Sequence, residues 1–152
     1  MKLFIACSKA FYTLIPPIKE ELESYGHMIT CPNSYDNPNK EEEIKIEGLE
    51  VHLKWKKEML KRDKVNILPN DGILVLNLEK NGQENYIGGA TFLEMHTAFL
   101  FDKKIFLYNP IPDNMFKDEL IGFDPIVLNK DLKLIKLKWL GQKNIDQLVL
   151  KK

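Results

Sequence analysis

The chain has 152 residues, 44% of them hydrophobic and 29% charged, a globular mixture that excludes collagen-like, low-complexity and disordered classes and fits a single domain over residues 1–152. Lysine plus arginine and aspartate plus glutamate both number 22, so the long-range field that draws a protein onto nucleic acid or anionic lipid is missing.

Met1-Lys2 leads straight into Leu3-Phe4-Ile5-Ala6-Cys7, an apolar run too short for a signal peptide or a membrane span, which predicts a buried first strand in a cytoplasmic protein. Ile15, Ile18, Leu22 and Tyr25 then recur at helical steps, with Pro16-Pro17 placed in a first turn and Gly26 where a helix stops. His27–Cys31 reads as a second strand. Pro32–Lys40 holds two prolines, three asparagines, a serine and an aspartate, which is the chemistry of an exposed loop. From Glu41 to Asp63 the apolar stripe Leu49, Leu53, Trp55, Met59 and Leu60 predicts helix in two pieces, broken at Gly48. The six Lys or Arg residues of Lys54–Lys64 are read as a solvated helix face, because the neutral total argues against a nucleic-acid patch.

Asp71-Gly72 opens the clearest strand, Ile73-Leu74-Val75-Leu76, whose unbroken apolar run predicts burial on both faces, as in a parallel sheet. A polar loop from Leu78 to Gly89 leads to a helix over Thr91–Phe101, then to strands at Lys104–Tyr108 and Pro125–Leu128. Beyond these, the alternation of Leu132–Leu140 suggests a strand, and Asn144–Leu150 a terminal helix or a tail. Strands separated by helices need right-handed crossovers. The expected fold is therefore α/β, a flavodoxin-like or Rossmann-like open, mostly parallel sheet with helices on both faces.

In such a sheet, ligands collect where the carboxyl ends of the strands meet helix N-termini. Those ends are Cys7-Ser8, Asn77 with the Lys80–Gly89 loop, and Asn109–Asp113. Gly88-Gly89 before a helix allows close approach of backbone N–H groups to an anion, although a turn that needs positive φ explains the pair as well. Glu94 is placed in the first turn of that helix, where a carboxylate can act as nucleophile or base. Thr91-Phe92-Leu93-Glu94 is also a capping box, which would give Glu94 a structural role alone. His96 is either a general acid or base or a packed helix residue. Asp63 and Asp71 read as a surface charge and a turn residue. The long, polar 80–89 loop with its Gly-Gly end suggests a mobile lid. Cys7 and Cys31, with His27, His52 and His96, form no C-x-x-C, H-x-x-H or H-E-x-x-H spacing. No metal site, cofactor or disulfide framework is expected.

Over most of Lys2–Asn109 the pieces resemble the nucleoside 2-deoxyribosyltransferase-like superfamily, which includes the deoxynucleoside monophosphate N-glycosidases. The residues that carry the likeness are Leu3-Phe4-Ile5-Ala6-Cys7-Ser8, Leu22-Glu23-Ser24-Tyr25-Gly26-His27, and Asp63 followed by Ile67 and Asp71-Gly72-Ile73-Leu74-Val75-Leu76-Asn77. Glu94-Met95-His96-Thr97-Ala98 followed by Lys103-Lys104-Ile105-Phe106 completes it. The resemblance implies that Glu94 is a nucleophile attacking an anomeric carbon, that Asp63 helps to position substrate, and that Ser8 touches phosphate or sugar. Asn77, Gly88, Gly89 and His96 complete the expected substrate-binding set.

Two functions follow as expectations: an N-glycosidase or deoxyribosyltransferase acting on a nucleoside or nucleotide, or a catalytically silent nucleotide-binding or sensing module on the same fold. The expected partner is a small nucleoside or nucleotide, with no nucleic acid and no membrane. Homo-oligomerisation is expected from the resemblance and from apolar groups in Met115–Phe123 and Trp139–Leu150 that one small domain would leave uncovered.

Overall fold

A computed structural model describes residues 1–136. Five short strands, β1 (Lys2–Ala6), β2 (Met28–Thr30), β3 (Gly72–Val75), β4 (Lys104–Leu107) and β5 (Ile126–Val127), form one all-parallel sheet. Their order is β2-β1-β3-β4-β5, the flavodoxin-like order in which the sheet changes direction between β1 and β3. The fold is thus the expected open α/β sheet.

Alternate residues of each strand point to opposite faces, and the central strands are apolar on both. Phe4, Ala6, Ile73, Val75, Ile105 and Leu107 pack on one face against Ile67, Met95, Ala98 and Leu120. Those four come from the helices α3 (Leu49–Ile67), α4 (Gly89–Leu100) and α5 (Lys117–Gly122). Leu3, Ile5, Leu74, Leu76 and Phe106 pack on the other face against Ile15 and Leu22 of α1 (Ile15–Ser24), together with Leu132 and Ile135. Each fully buried side chain of this kind contributes roughly 1.5–3 kcal/mol, so both helical layers are held mainly by the sheet. Gly72 leaves no room for a side chain between β3 and β4: an added Cβ would lie 2.6 Å from the Lys104 carbonyl oxygen.

Local punctuation follows the sequence. Pro16 and Pro17 open α1, and Gly26, at φ +86°, ends it while the His27 N–H donates back to the Leu22 carbonyl at 3.2 Å. Gly48, at φ +119°, separates α2 (Lys40–Ile46) from α3. A 3-10 segment, Lys9–Leu14, follows β1 and is capped by the Ser8 side chain. No helix among the described residues is long and apolar enough to cross a membrane.

The stretch after Glu41 is helix in two pieces broken at Gly48, as expected; on α3, Leu49, Leu53 and Leu60 are exposed, Trp55 and Met59 half-buried, and full burial falls on Asp63 and Ile67 toward its C-terminal end. Three expectations are corrected. Residues 133–136 are helical, with Leu132 and Ile135 buried three apart, so the alternation over Leu132–Leu140 is not a strand where it is described. Within Met115–Phe123 lies α5, whose Leu120 is fully buried while Phe116 and Phe123 pack around Phe92; Met115 and Ile121 stay exposed. Finally, α4 starts two residues earlier than Thr91, with Gly88 as N-cap and no side-chain cap bond. Thr91 is therefore already inside the helix, Glu94 falls in its second turn, and the capping box does not form. Asn144–Leu150 and Trp139–Leu150 lie outside the described residues.

Candidate active site

From β1 the chain turns outward to β2, then crosses back over β1 to β3, so the loops that follow β1 and β3 diverge and leave a crevice at the carboxyl edge of the sheet. A cavity of about 440 Å³ lies there, lined by Cys7 and Ser8 after β1, Asp63 of α3, and Gly88, Gly89 and Glu94 at the start of α4. This volume is in the range of small-molecule sites.

Glu94 is the unusual group. Only 8% of the residue is exposed, and no hydrogen bond or ion pair from the described residues reaches its carboxyl, whose oxygens are accessible from the cavity. Burial raises its pKa well above the ordinary carboxyl value, and the charge of Asp63 adds to the effect. An unpartnered buried carboxyl is costly to folding, and the helix gains no cap from it.

Asp63 is also buried, near the C-terminal end of α3. Burial pushes its carboxyl up to about 6, against the opposing pull of the Lys56 ammonium and of a hydrogen bond from Asn33. The Asn33 Nδ2 donates to Asp63 Oδ1 at 3.2 Å. The two carboxyls interact, since the Asp63 charge adds to the rise of Glu94.

Gly88 and Gly89 both have ordinary φ values, so positive φ is not the reason for glycine at either position. A Cβ on Gly88 would meet the Tyr86 hydroxyl at 3.2 Å, whereas a Cβ on Gly89 would enter open space. With no side-chain cap at Gly88, the first-turn N–H groups of α4 are left for a ligand or water.

The loop after β3 is a closed turn. Lys80 and Gln83 exchange two backbone hydrogen bonds of 3.0 Å across Asn81 and Gly82, which both have positive φ, as a tight hairpin turn requires. This turn sets the Lys80 Nζ 3.1 Å from the Ser8 Oγ and 4.6 Å from the centre of the Tyr86 ring. Lys9, Lys45 and Lys56 also line the cavity, but each pairs with Glu41 or Glu42. Among the described residues, Lys80 is the cavity lysine with no carboxylate partner.

Two expected site residues are elsewhere. Asn77 is fully buried and ties the ends of β3 and β4 together: its Nδ2 donates to the carbonyls of Asn109 (3.0 Å) and Pro110 (2.9 Å), and its Oδ1 accepts from the Asn109 N–H (2.8 Å). His96 is exposed and lies beside Phe123. Two residues along a helix is a rotation of more than half a turn, so Glu94 and His96 cannot share a face. Conversely, composition carries no sign of Tyr12, Asn33 and Trp55, which line the cavity from the segment after β1, the loop after β2 and α3. Lys80 does have a signal in the sequence, because Asn-Gly at 81–82 marks a hairpin turn.

Cys7 lines the cavity with its thiol pushed up to about 12, by burial first and then by Glu94, so it stays protonated and is no nucleophile at neutral pH. No cluster of three or more His, Cys, Asp or Glu suited to a metal ion occurs among the described residues.

Fold and site together define an open α/β protein whose cavity at the switch in strand order holds two buried carboxyl residues beside an uncapped helix start and a lysine with no carboxylate partner among the described residues. No protein-family model matches the chain, and no curated protein is significantly similar to it.

Proposed function

We propose that this protein is an N-glycosidase or deoxyribosyltransferase of the nucleoside 2-deoxyribosyltransferase-like superfamily, acting on a nucleoside or nucleotide through Glu94. The observation that carries the reading is the Glu94 carboxyl itself: buried, without a protein partner, and open to a cavity shared with Asp63. A group so costly to bury, with no structural bond to explain it, is the signature of a residue kept for chemistry.

Without substrate, the one proton held by the pair favours Glu94, the more deeply buried carboxyl; the reacting form is the tautomer in which that proton has passed to Asp63 and Glu94 carries the charge. A Glu94 oxygen bonds to the anomeric carbon as the bond from that carbon to the base nitrogen breaks; the bonding electrons leave with the base, which takes the Asp63 proton. Water then attacks the anomeric carbon as its bond to the Glu94 oxygen breaks, the electron pair returning to the Glu94 carboxylate and the water's proton passing to Asp63; in transfer, a second base nitrogen attacks in its place and gives up its N–H proton to Asp63. Positive charge developing on the sugar favours the ionised form of Glu94 as the barrier is crossed. Ser8 and Lys80, with the first-turn N–H groups of α4, suit the hydroxyl or phosphate end of the substrate.

The test is base release from a panel of nucleosides and 5′-monophosphates, followed by chromatography. Glu94→Gln keeps the shape and removes the nucleophile, so release should fall at least about 10³-fold, with no loss of thermal stability. Release that survives the change removes Glu94 from the chemistry.

The alternative, a silent nucleotide-binding module, is favoured by one observation: burial shifts Glu94 toward its neutral form, which does not attack carbon. A wild-type protein that binds a nucleotide tightly and releases no base selects that alternative. Either way the reading is of a cytoplasmic protein without a nucleic-acid or membrane partner. Within 115–123, Met115 and Ile121 are exposed, in keeping with the homo-oligomer that forms part of this reading.

A further inference from the structure

We infer that Asn33 is a positioning residue for Asp63, locked in its working orientation by Asn66, and that this amide pair determines which Asp63 oxygen is left for the ligand. The inference rests on the reading of the cavity given above and concerns residues that reading does not use.

Asp63 and Asn66 are three apart on α3 and so lie on one face, a turn from each other. Asn33 arrives from the loop after β2, and its side chain bridges them. The Asn33 Nδ2 donates to Asp63 Oδ1 at 3.2 Å, while the Asn33 Oδ1 accepts from the Asn66 Nδ2. Both ends of the Asn33 amide are thereby specified. Turning it over would set its oxygen against the carboxylate and its NH2 group against that of Asn66, replacing two attractions by two repulsions.

The consequence falls on Asp63. Oδ1 is occupied, and Oδ2 has no partner among the described residues, which leaves it for substrate or for the proton. The charged groups that bear on Asp63 are Lys56 on its own helix and Glu94 on α4; Glu41 of α2 also lines the cavity, with His52 and Lys56 on its Oε1. Tyr12 lines the cavity as a neutral phenol, because burial and the neighbouring Cys7 and Glu94 raise its pKa. Among these, Asn33 supplies the hydrogen bond that favours the ionised carboxyl against burial.

The experiment is a 13C-carboxyl NMR titration of the full chain, which follows Asp63 whether or not the protein turns over, combined with base-release kinetics. In Asn33→Ala the Asp63 midpoint should rise from about 6 by about half a pH unit to one, the worth of one modest hydrogen bond. Asn66→Ala should move it the same way by less, since Asn33 stays but turns freely. Kinetically, the acid limb of the profile should follow the midpoint, with kcat lowered and KM little changed. An unmoved Asp63 midpoint in Asn33→Ala overturns the positioning role, and an unmoved one in Asn66→Ala alone overturns the lock. If the midpoint shifts in a protein that releases no base, the positioning stands and the glycosidase reading falls. If base is released while the midpoint stays fixed, the glycosidase reading stands and the positioning falls.

Discussion

Replacing Asp63 by Asn should stabilise the protein, and the gain should depend on pH in a way that burial alone dictates. The Asp63 carboxyl titrates at 3.8 when free and at about 6 in the fold. A folded-state pKa above the unfolded one means that the fold prefers the protonated form. Stability from this group is complete below about pH 3.8 and is lost as pH rises through about 6. At 1.36 kcal/mol per pH unit this gives a ceiling of about 3 kcal/mol above neutrality. Asn keeps the Oδ1 acceptor for Asn33 and carries no charge, but it gives up the attraction of Lys56 and adds an NH2 group to place, so about 1–2 kcal/mol is a fair expectation. For a domain of this size that is a rise in Tm of about 2–8 °C. Relief of Glu94, whose own pKa the Asp63 charge raises, adds in the same direction. Calorimetry of wild type and Asp63→Asn in steps from pH 3.5 to 8 reads it: no difference at the acid end, opening between pH 4 and 6.5 and constant above. A pH-independent difference, or a less stable variant at pH 7.5, refutes the idea that Asp63 is held ionised against its burial.

Catalysis should follow a bell in pH, rising through about 6 as the first proton leaves the carboxyl pair and falling at higher pH as the second leaves, since one proton on the pair is needed; a flat kcat/KM from pH 5 to 9 contradicts this. Asn77→Ala should cost about 2–4 kcal/mol in a urea melt, because it orphans the buried Asn109 N–H and the carbonyls that Asn77 satisfies. His96→Ala should leave base release within about twofold of wild type, as expected of a surface change, and a loss of tenfold or more would return His96 to the site. Light scattering should give an oligomer mass, and a monomer mass unchanged on dilution removes the homo-oligomer.

Much of the fold is written locally. Ile73–Leu76 is apolar at every position and bounded by Asp71-Gly72, as a short strand covered on both faces requires, and Gly26, Gly48 and Pro16-Pro17 mark helix ends through backbone constraints that need no distant partner. The crossover rule then fixes a parallel sheet, and with it the edge where a ligand binds. Glu94 and Asp63 stand out by resemblance, and Ser8 and Gly88-Gly89 by their places at strand and helix ends. What the sequence left open was decided by three-dimensional neighbours. Thr91-x-x-Glu94 fits a capping box and a buried carboxyl equally well, and only the start of α4 at Gly89, set by its packing on the sheet, assigns Glu94 to the cavity. Asn77 and His96 look like site residues when strand end and helix spacing are the guides; a partner 32 residues away claims the first, and helix rotation turns the second to solvent. Asn33 and Asn66 carry no signal at all, since a hydrogen bond across 33 residues exists only once the loop after β2 has been folded against α3.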